Sequence, residues 1–341
     1  MGTTNKAMQL LETKARKYGE VKEKDIVAKR SETFKKFVKY QDGLTEHWKP
    51  GAPTRDINME EKEKEYFSEY LAKRFGDGVS KILLFDLGGG DGKVVDWFSN
   101  ISSLMEDKPD HKIVYFYADV APKMRELAKK KYLKYVAEHP DFQVSGLFTL
   151  MDVTNVYFTR EEYRTLHKYF DLIIQVCAGG TIGNLGELED IGYEAQKKVI
   201  DKYFKPSDFT FITFLDPEEI RTSMREYTDY GVETSAYDSL KVRFVLAQCA
   251  GHKIVAKHLL NFRNKKEYDE AFTEVADRAC SLKGKPFFVV IEMWKDGEYV
   301  GQISRHYSKE YFKKNLFEKF KCQEFVKVGR AIITCATPLT R

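Results

Sequence analysis

The chain has 341 residues, 43% of them hydrophobic and 14% aromatic, which is enough for a substantial core and excludes disorder throughout. Its 56 Lys/Arg against 52 Asp/Glu leave a net charge of +4. The first 50 residues hold 12 Lys/Arg against 7 Asp/Glu, so the basic excess is local and a surface coated in positive charge for nucleic acid is disfavoured. The five cysteines, Cys177, Cys249, Cys280, Cys322 and Cys335, are odd in number and never at CxxC spacing. That argues against a disulfide framework and against a structural zinc site. No run reaches the roughly 18 apolar residues that a bilayer span needs, and MGTTNKAMQL has no apolar signal core. Lys6 stands where the N-myristoylation pattern wants Ser or Thr. The expectation is a soluble cytoplasmic protein with reduced thiols, no metal and no membrane partner.

Residues 5–40 read as two amphipathic helices, with Leu10, Leu11, Ala15 and Tyr18 on one apolar stripe and Ile26, Val27, Phe34, Phe37 and Val38 on the other. KPGAPTRDIN at 49–58 is a loop, and 59–76 is helical. From residue 81 apolar strands alternate with helices. KILLFDLGGG, KIVYFYADV, FTLMDVT, FDLIIQVCAGG and FTFITFLD are the five strands. Their near-continuous apolar character predicts an α/β fold, a doubly wound and mostly parallel sheet covered on both faces. Residues 216–300 break the rhythm. The part through about 280 reads as mainly helical, and 286–303 as a hairpin turning at Asp296-Gly297. A helix at 308–320 and a final pair of strands, KCQEFVKV and AIITCAT, return to the alternating pattern. The insertion after the fifth strand is a natural substrate-binding element.

Asp86-Leu-Gly88-Gly89-Gly90-Asp91-Gly92 follows a strand and opens a helix. Glycine lets the backbone turn tightly and approach a ligand closely. Only three residues separate Gly88 from Gly92, and Val94 follows Lys93, so the Walker A spacing and its magnesium-binding hydroxyl are both missing. The dinucleotide fingerprint GxGxxG fails at its third glycine, where Lys93 stands. The acidic-x-Gly-x-Gly-x-Gly loop that S-adenosyl-L-methionine (SAM) methyltransferases use is met by Asp86, Gly88, Gly90 and Gly92. Asp119 ends the second strand, and its two carboxylate oxygens can accept both ribose hydroxyls of a nucleoside. Asp152 ends the third and can accept an adenine amino group, with Val153 offering a backbone N–H. Three acids at the ends of three successive strands stand where ligands of open α/β sheets bind. Cys177, beside this region, has no neighbour in sequence that would activate it and reads as an inert buried thiol.

On these residues the chain resembles the class I SAM-dependent methyltransferases over roughly 60–215 and 304–341, a Rossmann-like fold. Ala178-Gly-Gly-Thr181-Ile-Gly183-Asn184-Leu185 is similar to the GSTIGNL segment of the histidine-specific, ergothioneine-type amino acid N-methyltransferases. Pro53-Thr54-Arg55 is similar to that family's PTR, and Gly301-Gln302-Ile303-Ser304-Arg305-His306-Tyr307 to its TExSxKY. The resemblance implies an N-terminal part (1–58) and an insertion (216–303) forming a second, smaller substrate domain beside a SAM-binding core (59–215 and 304–341). It implies substrate contacts from Thr181, Gly183, Asn184, Tyr227, Gln302 and Ser304, with Asn184 and Tyr227 nearest the chemistry. Two departures bear on the substrate. Gln302 replaces the acid that grips imidazole, and Ala52 replaces a Tyr. Loss of the carboxylate removes the charge-assisted bond that favours imidazole, so the expected acceptor is a small amino acid or amine other than histidine. Tyr227, Tyr230 and Tyr237 offer an aromatic wall for a methylated ammonium. Alternatives from the same residues are a methyltransferase of a protein, peptide or RNA, a non-catalytic SAM-binding partner, and transfer of the aminocarboxypropyl arm.

Overall fold

A computed structural model describes residues 3–19, 57–76, 78–105, 110–185, 193–216, 240–248, 253–261, 287–295, 298–299, 306–313, 320–329 and 331–339, with isolated positions between 266 and 277. Helix α1 is Thr3–Gly19 and α2 is Ile57–Arg74. The alternating part then runs β1 (Lys81–Leu87), a 3₁₀ turn (Lys93–Trp97), α3 (Phe98–Ser103), β2 (Lys112–Asp119), α4 (Pro122–Glu138) and β3 (Val144–Leu150). It continues with a 3₁₀ turn (Val153–Asn155), α5 (Arg160–His167), β4 (Leu172–Cys177), a 3₁₀ turn (Thr181–Asn184), α6 (Tyr193–Tyr203) and β5 (Phe209–Leu215). Next come β6 (Leu240–Gln248), β7 (Lys253–Asn261), β8 (Phe287–Lys295) and β9 (Glu298–Tyr299). The chain closes with β10 (Phe320–Cys322), β11 (Val326–Val328) and β12 (Ala331–Pro338).

The large sheet has the order β10-β12-β5-β4-β1-β2-β3, with β11 also paired to β12. β3, β2, β1, β4 and β5 are parallel, and β12 is antiparallel to β5. This is the doubly wound order, reversing direction between β1 and β4, and the fold class read from the sequence is the one observed. Strand alternation divides the core into two layers. Leu83, Phe85, Val114, Phe116 and Ile173 pack on the side of α1, α5 and α6. Ile82, Leu84, Tyr115, Ile174 and Phe211 pack on the side of α2, α3 and α4. Helix α1 reaches its layer through Ala7 and Leu11, both fully buried, and Lys14 pairs with Glu162 of α5 at 2.9 Å. At least this part of the basic N-terminus is attached to the large sheet. No helix among the described residues is long and apolar enough to cross a membrane.

Three readings need correction. The third strand, read as FTLMDVT with Asp152 at its end, is Val144–Leu150; Asp152 lies two residues past it, where its side chain takes the Thr154 N–H and caps a 3₁₀ turn instead of extending the strand. The stretch through about 280, taken as mainly helical, contains β6 and β7, which join β8 and β9 in a second sheet of order β7-β6-β8-β9. All nine residues of β6 pair antiparallel with β8, and β7 flanks its other edge. Ladder pairing on both edges supplies what short-range propensity does not, and the sequence LKVRFVLAQ is rich in the β-branched and aromatic residues that suit it. The hairpin read at 286–303 is seen as β8 and β9, with Trp294 opposite Tyr299. The final pair of strands is three strands. KCQEFVKV is broken between β10 and β11, because from Cys322 to Val326 it advances one residue more than β12 does from Ala336 to Ile333. An extra residue on one strand interrupts the ladder.

Candidate functional site

Every backbone turn that matters here lies at the carboxyl ends of the parallel strands. The loop after β1 turns through left-handed glycines, with φ 79° at Gly88, 55° at Gly90 and 76° at Gly92. Strand β2 holds it. The Gly88 N–H donates to Ala118 O at 2.7 Å, the Gly90 N–H donates to Asp119 Oδ2 at 3.0 Å, and the Tyr117 hydroxyl donates to Gly90 O at 2.6 Å. Gly90 therefore has both of its backbone polar groups anchored. A Cβ at Gly90 would meet nothing within 4 Å, whereas one at Gly92 would strike Ala128 of α4 at 2.7 Å. Gly92 is needed for packing inside the protein, and Gly90 leaves open space where a ligand can approach.

The three strand-end acids have different environments. Asp119 is nearly buried, and its Oδ1 accepts from the Ala121 N–H at 2.9 Å. Each carboxylate oxygen thus accepts a backbone N–H from the turn beside it, and an ionised carboxylate is acceptor-only. Asp152 is buried, and its Oδ1 accepts from the Thr154 N–H and hydroxyl at 2.9 and 2.8 Å, capping the turn that starts at Val153. Asp86 lies beneath the loop, where it accepts from the Tyr115 hydroxyl at 2.6 Å. Burial pushes its carboxyl up to about 7; the Tyr115 hydrogen bond and the Lys93 charge act in the opposite direction. Asp86 supports the loop from below.

β4 ends in a second left-handed pair, Gly179 and Gly180, with φ 66° and 74°. Thr181, Gly183 and Asn184 follow on one 3₁₀ turn. The Thr181 hydroxyl lies 2.8 Å from Ala178 O and 3.1 Å from Gly88 O, within donating reach of both, so this turn touches the glycine loop. The strand reversal is thus flanked on one side by Gly88–Gly92 and on the other by the turn that Gly179 opens, the place where ligands of open α/β sheets bind. Tyr227, Gln302, Ser304 and the Pro53–Arg55 segment lie outside the described residues. Cys177 is buried, and burial pushes its thiol up to about 12, with Tyr203 and Ile182 bonding against that trend. Burial and a raised thiol pKa are the conditions under which a cysteine stays unreactive.

Four side chains were missed. Tyr115 and Tyr117 share the Asp119 face of β2, and the two-residue period of YFYAD was the available signal. Glu63 of α2 and Lys93 form a buried ion pair, and the signal was a carboxylate on an otherwise apolar helical stripe. The site suits a ligand with hydroxyls and a positive charge better than a phosphate. The loop runs into a five-residue 3₁₀ turn capped by left-handed Gly92, so no long helix directs a dipole at it. The Gly90 N–H is already taken by Asp119, and neighbouring carboxylates repel an anion. Among the described residues no group of three or more His, Cys, Asp or Glu is placed to hold a metal ion.

No protein-family model matches the chain, and no curated protein matches it. Many solved structures do. A protein of Pyrococcus horikoshii is 16% identical, with 90% of this chain and 99% of that chain covered at a TM-score of 0.38. The sugar N-methyltransferase KedS8 of Streptoalloteichus is 9% identical, with 81% and 86% covered at 0.34. Magnesium protoporphyrin IX methyltransferase of Synechocystis, solved with S-adenosylhomocysteine (SAH), is 9% identical, with 83% and 84% covered at 0.35.

Proposed function

We propose that the chain is a SAM-dependent methyltransferase that methylates the nitrogen of a small amino acid or amine. The observation that carries this reading is Gly90, anchored by Asp119 and Tyr117 and open on its remaining side. Such a loop admits the backbone-close approach of a nucleoside, and Asp119 offers acceptors to its ribose. Asp152 and Val153, just past the end of the next strand, suit the adenine. A sulfonium is cationic, and the acids around the loop favour it over an anionic ligand.

SAM supplies a methyl group on a positively charged sulfur. The chain's own task is to hold an amine lone pair in line with that methyl group in a water-poor crevice. Orientation alone is worth effective molarities of about 10⁵–10⁸ M in well-aligned systems, so no dedicated base is required if the amine loses its proton to solvent first. Asn184, on the turn that adjoins the glycine loop, orients the amino acid end of the acceptor. Tyr227, Gln302 and Ser304 complete the acceptor pocket, with neutral Gln302 accommodating a side chain other than imidazole. Residues 1–58, whose first helix packs on the large sheet, and 216–303 form the substrate domain around the core of 59–215 and 304–341.

The test uses methyl-labelled SAM with the small-molecule and macromolecular fractions of a cell extract, and Asp119→Ala as control. Label in a small amine or amino acid, lost in the control, is the expected result. Label in protein or RNA overturns the substrate class, and no label in either fraction overturns the catalytic reading.

A further inference from the structure

Met59, Glu63, Phe67 and Leu71 recur every four residues on α2 and share one helical face. All four are buried, and Glu63 has no solvent exposure. A buried carboxylate costs several kcal/mol unless it is paired and hydrogen-bonded, and packing α2 onto the sheet needs no such group. Its two oxygens engage two different loops. Oε2 meets Lys93 Nζ at 2.5 Å, just past the glycine loop. Oε1 accepts from the Gly179 N–H at 2.8 Å, just past β4. Those loops flank the strand reversal between β1 and β4.

We propose that Glu63 is a positioning residue that clamps the turn after β4 to the glycine loop and so sets the spacing between them. The clamp rests on this geometry; its consequence for methyl transfer rests on the methyltransferase reading. Gly179 is exposed, so once the carboxylate is gone its N–H turns to water, and among the described residues the turn keeps only the Thr181 hydroxyl, shared between Ala178 O and Gly88 O, as a hydrogen bond to the glycine loop. Lys93, mostly buried, loses its counter-charge at the same time. A change in loop spacing matters because in-line transfer is steep in distance and angle.

Amide hydrogen exchange on the full chain, read by mass spectrometry, tests the clamp alongside calorimetric titration with SAH. In Glu63→Ala, exchange rises about 10-fold or more in 87–93 and 178–184 while β1, β2 and β4 keep their protection. SAH affinity falls about 10-fold or more in the same variant. Glu63→Gln keeps an acceptor for the Gly179 N–H but no charge for Lys93, so it falls between Glu63→Ala and the parent, and it decides the matter if Glu63→Ala does not fold. Unchanged exchange in both loops overturns the clamp. An even rise across the sheet overturns it too, because Glu63 then supports the fold as a whole. Released loops with unchanged SAH affinity overturn the positioning role. A parent protein that does not bind SAH refutes the methyltransferase reading, while the exchange result still decides the clamp.

Discussion

The glycine loop after β1 and the glycine pair after β4 are built from the same left-handed backbone, yet they are held in different ways. The first is anchored by its neighbour in the sheet, through Ala118, Tyr117 and Asp119 of β2. The second touches the first through the Thr181 hydroxyl and is anchored from a distance by Glu63 of α2, 116 residues upstream of Gly179. A loop tied to the adjacent strand moves only with the sheet, whereas a loop tied to a helix depends on how that helix packs. One wall of the crevice is therefore rigid by pairing and the other by a buried charge.

Substitutions separate the two walls. Gly92→Val places a side chain on Ala128 at a φ of 76°, and combines left-handed strain with overpacking for a loss of about 2–5 kcal/mol, read by urea unfolding. Gly180→Ala has the same hand of strain but meets only Leu215 side-chain atoms, the nearest at 3.5 Å, and costs about 1–2 kcal/mol. Equal losses at the two positions would remove the distinction.

The pH dependence of stability provides a second contrast, between Asp86 under the first loop and His306 beside the end of β5. Asp86 ionises near 3.8 when unfolded and at about 7 when folded, because burial opposes its charge. Its stabilising contribution is complete below about 4 and is lost as pH rises to about 7. Tyr115, Lys93, Asp119 and Asp91 are the charged or titratable groups acting on it. Asp86→Asn removes that slope, on the order of 3–4 kcal/mol between pH 4 and 7. His306 is buried, and burial pulls its ring down to about 4 from 6.5, against hydrogen bonding and charge from Asp216. Its contribution is complete above 6.5 and is lost as pH falls to about 4, the opposite sign. His306→Gln shallows the acid limb of the curve, again by urea unfolding across pH. Matching slopes in the two variants would contradict the assignment.

The smallest expected effect is at Cys177, where the thiol raised to about 12 by burial stays unalkylated by iodoacetamide at pH 8 in the folded protein. Labelling at the rate of an exposed cysteine would mean that the crevice opens further than these contacts allow.

The large sheet was readable because each strand is a continuous apolar run between helical segments, and β1, β2, β4 and β5 are found where KILLFDL, KIVYFYAD, LIIQVC and FTFITFL stand. The glycine loop was readable because left-handed backbone restricts residue choice locally. β6 was misread because a strand stabilised by partners on both edges needs no unambiguous local pattern, and β7, the edge strand, takes its ladder from β6. Glu63 was missed because its partners, Lys93 and Gly179, are distant in sequence, and only the break in the apolar stripe at 59, 63, 67 and 71 marks it. The carboxylates at 86, 119 and 152 look alike in sequence. Only their neighbours distinguish Asp86, the support under the loop, from Asp119, the acid that takes the Gly90 N–H.

Calorimetric titration of the protein and of Asp119→Ala with SAH tests the central claim most directly. The account predicts saturable one-to-one binding by the protein, weakened about 30-fold or more in the variant, since a charge-assisted contact and the anchor of Gly90 are lost together. Equal affinity in the two proteins, or no binding by either, would contradict it.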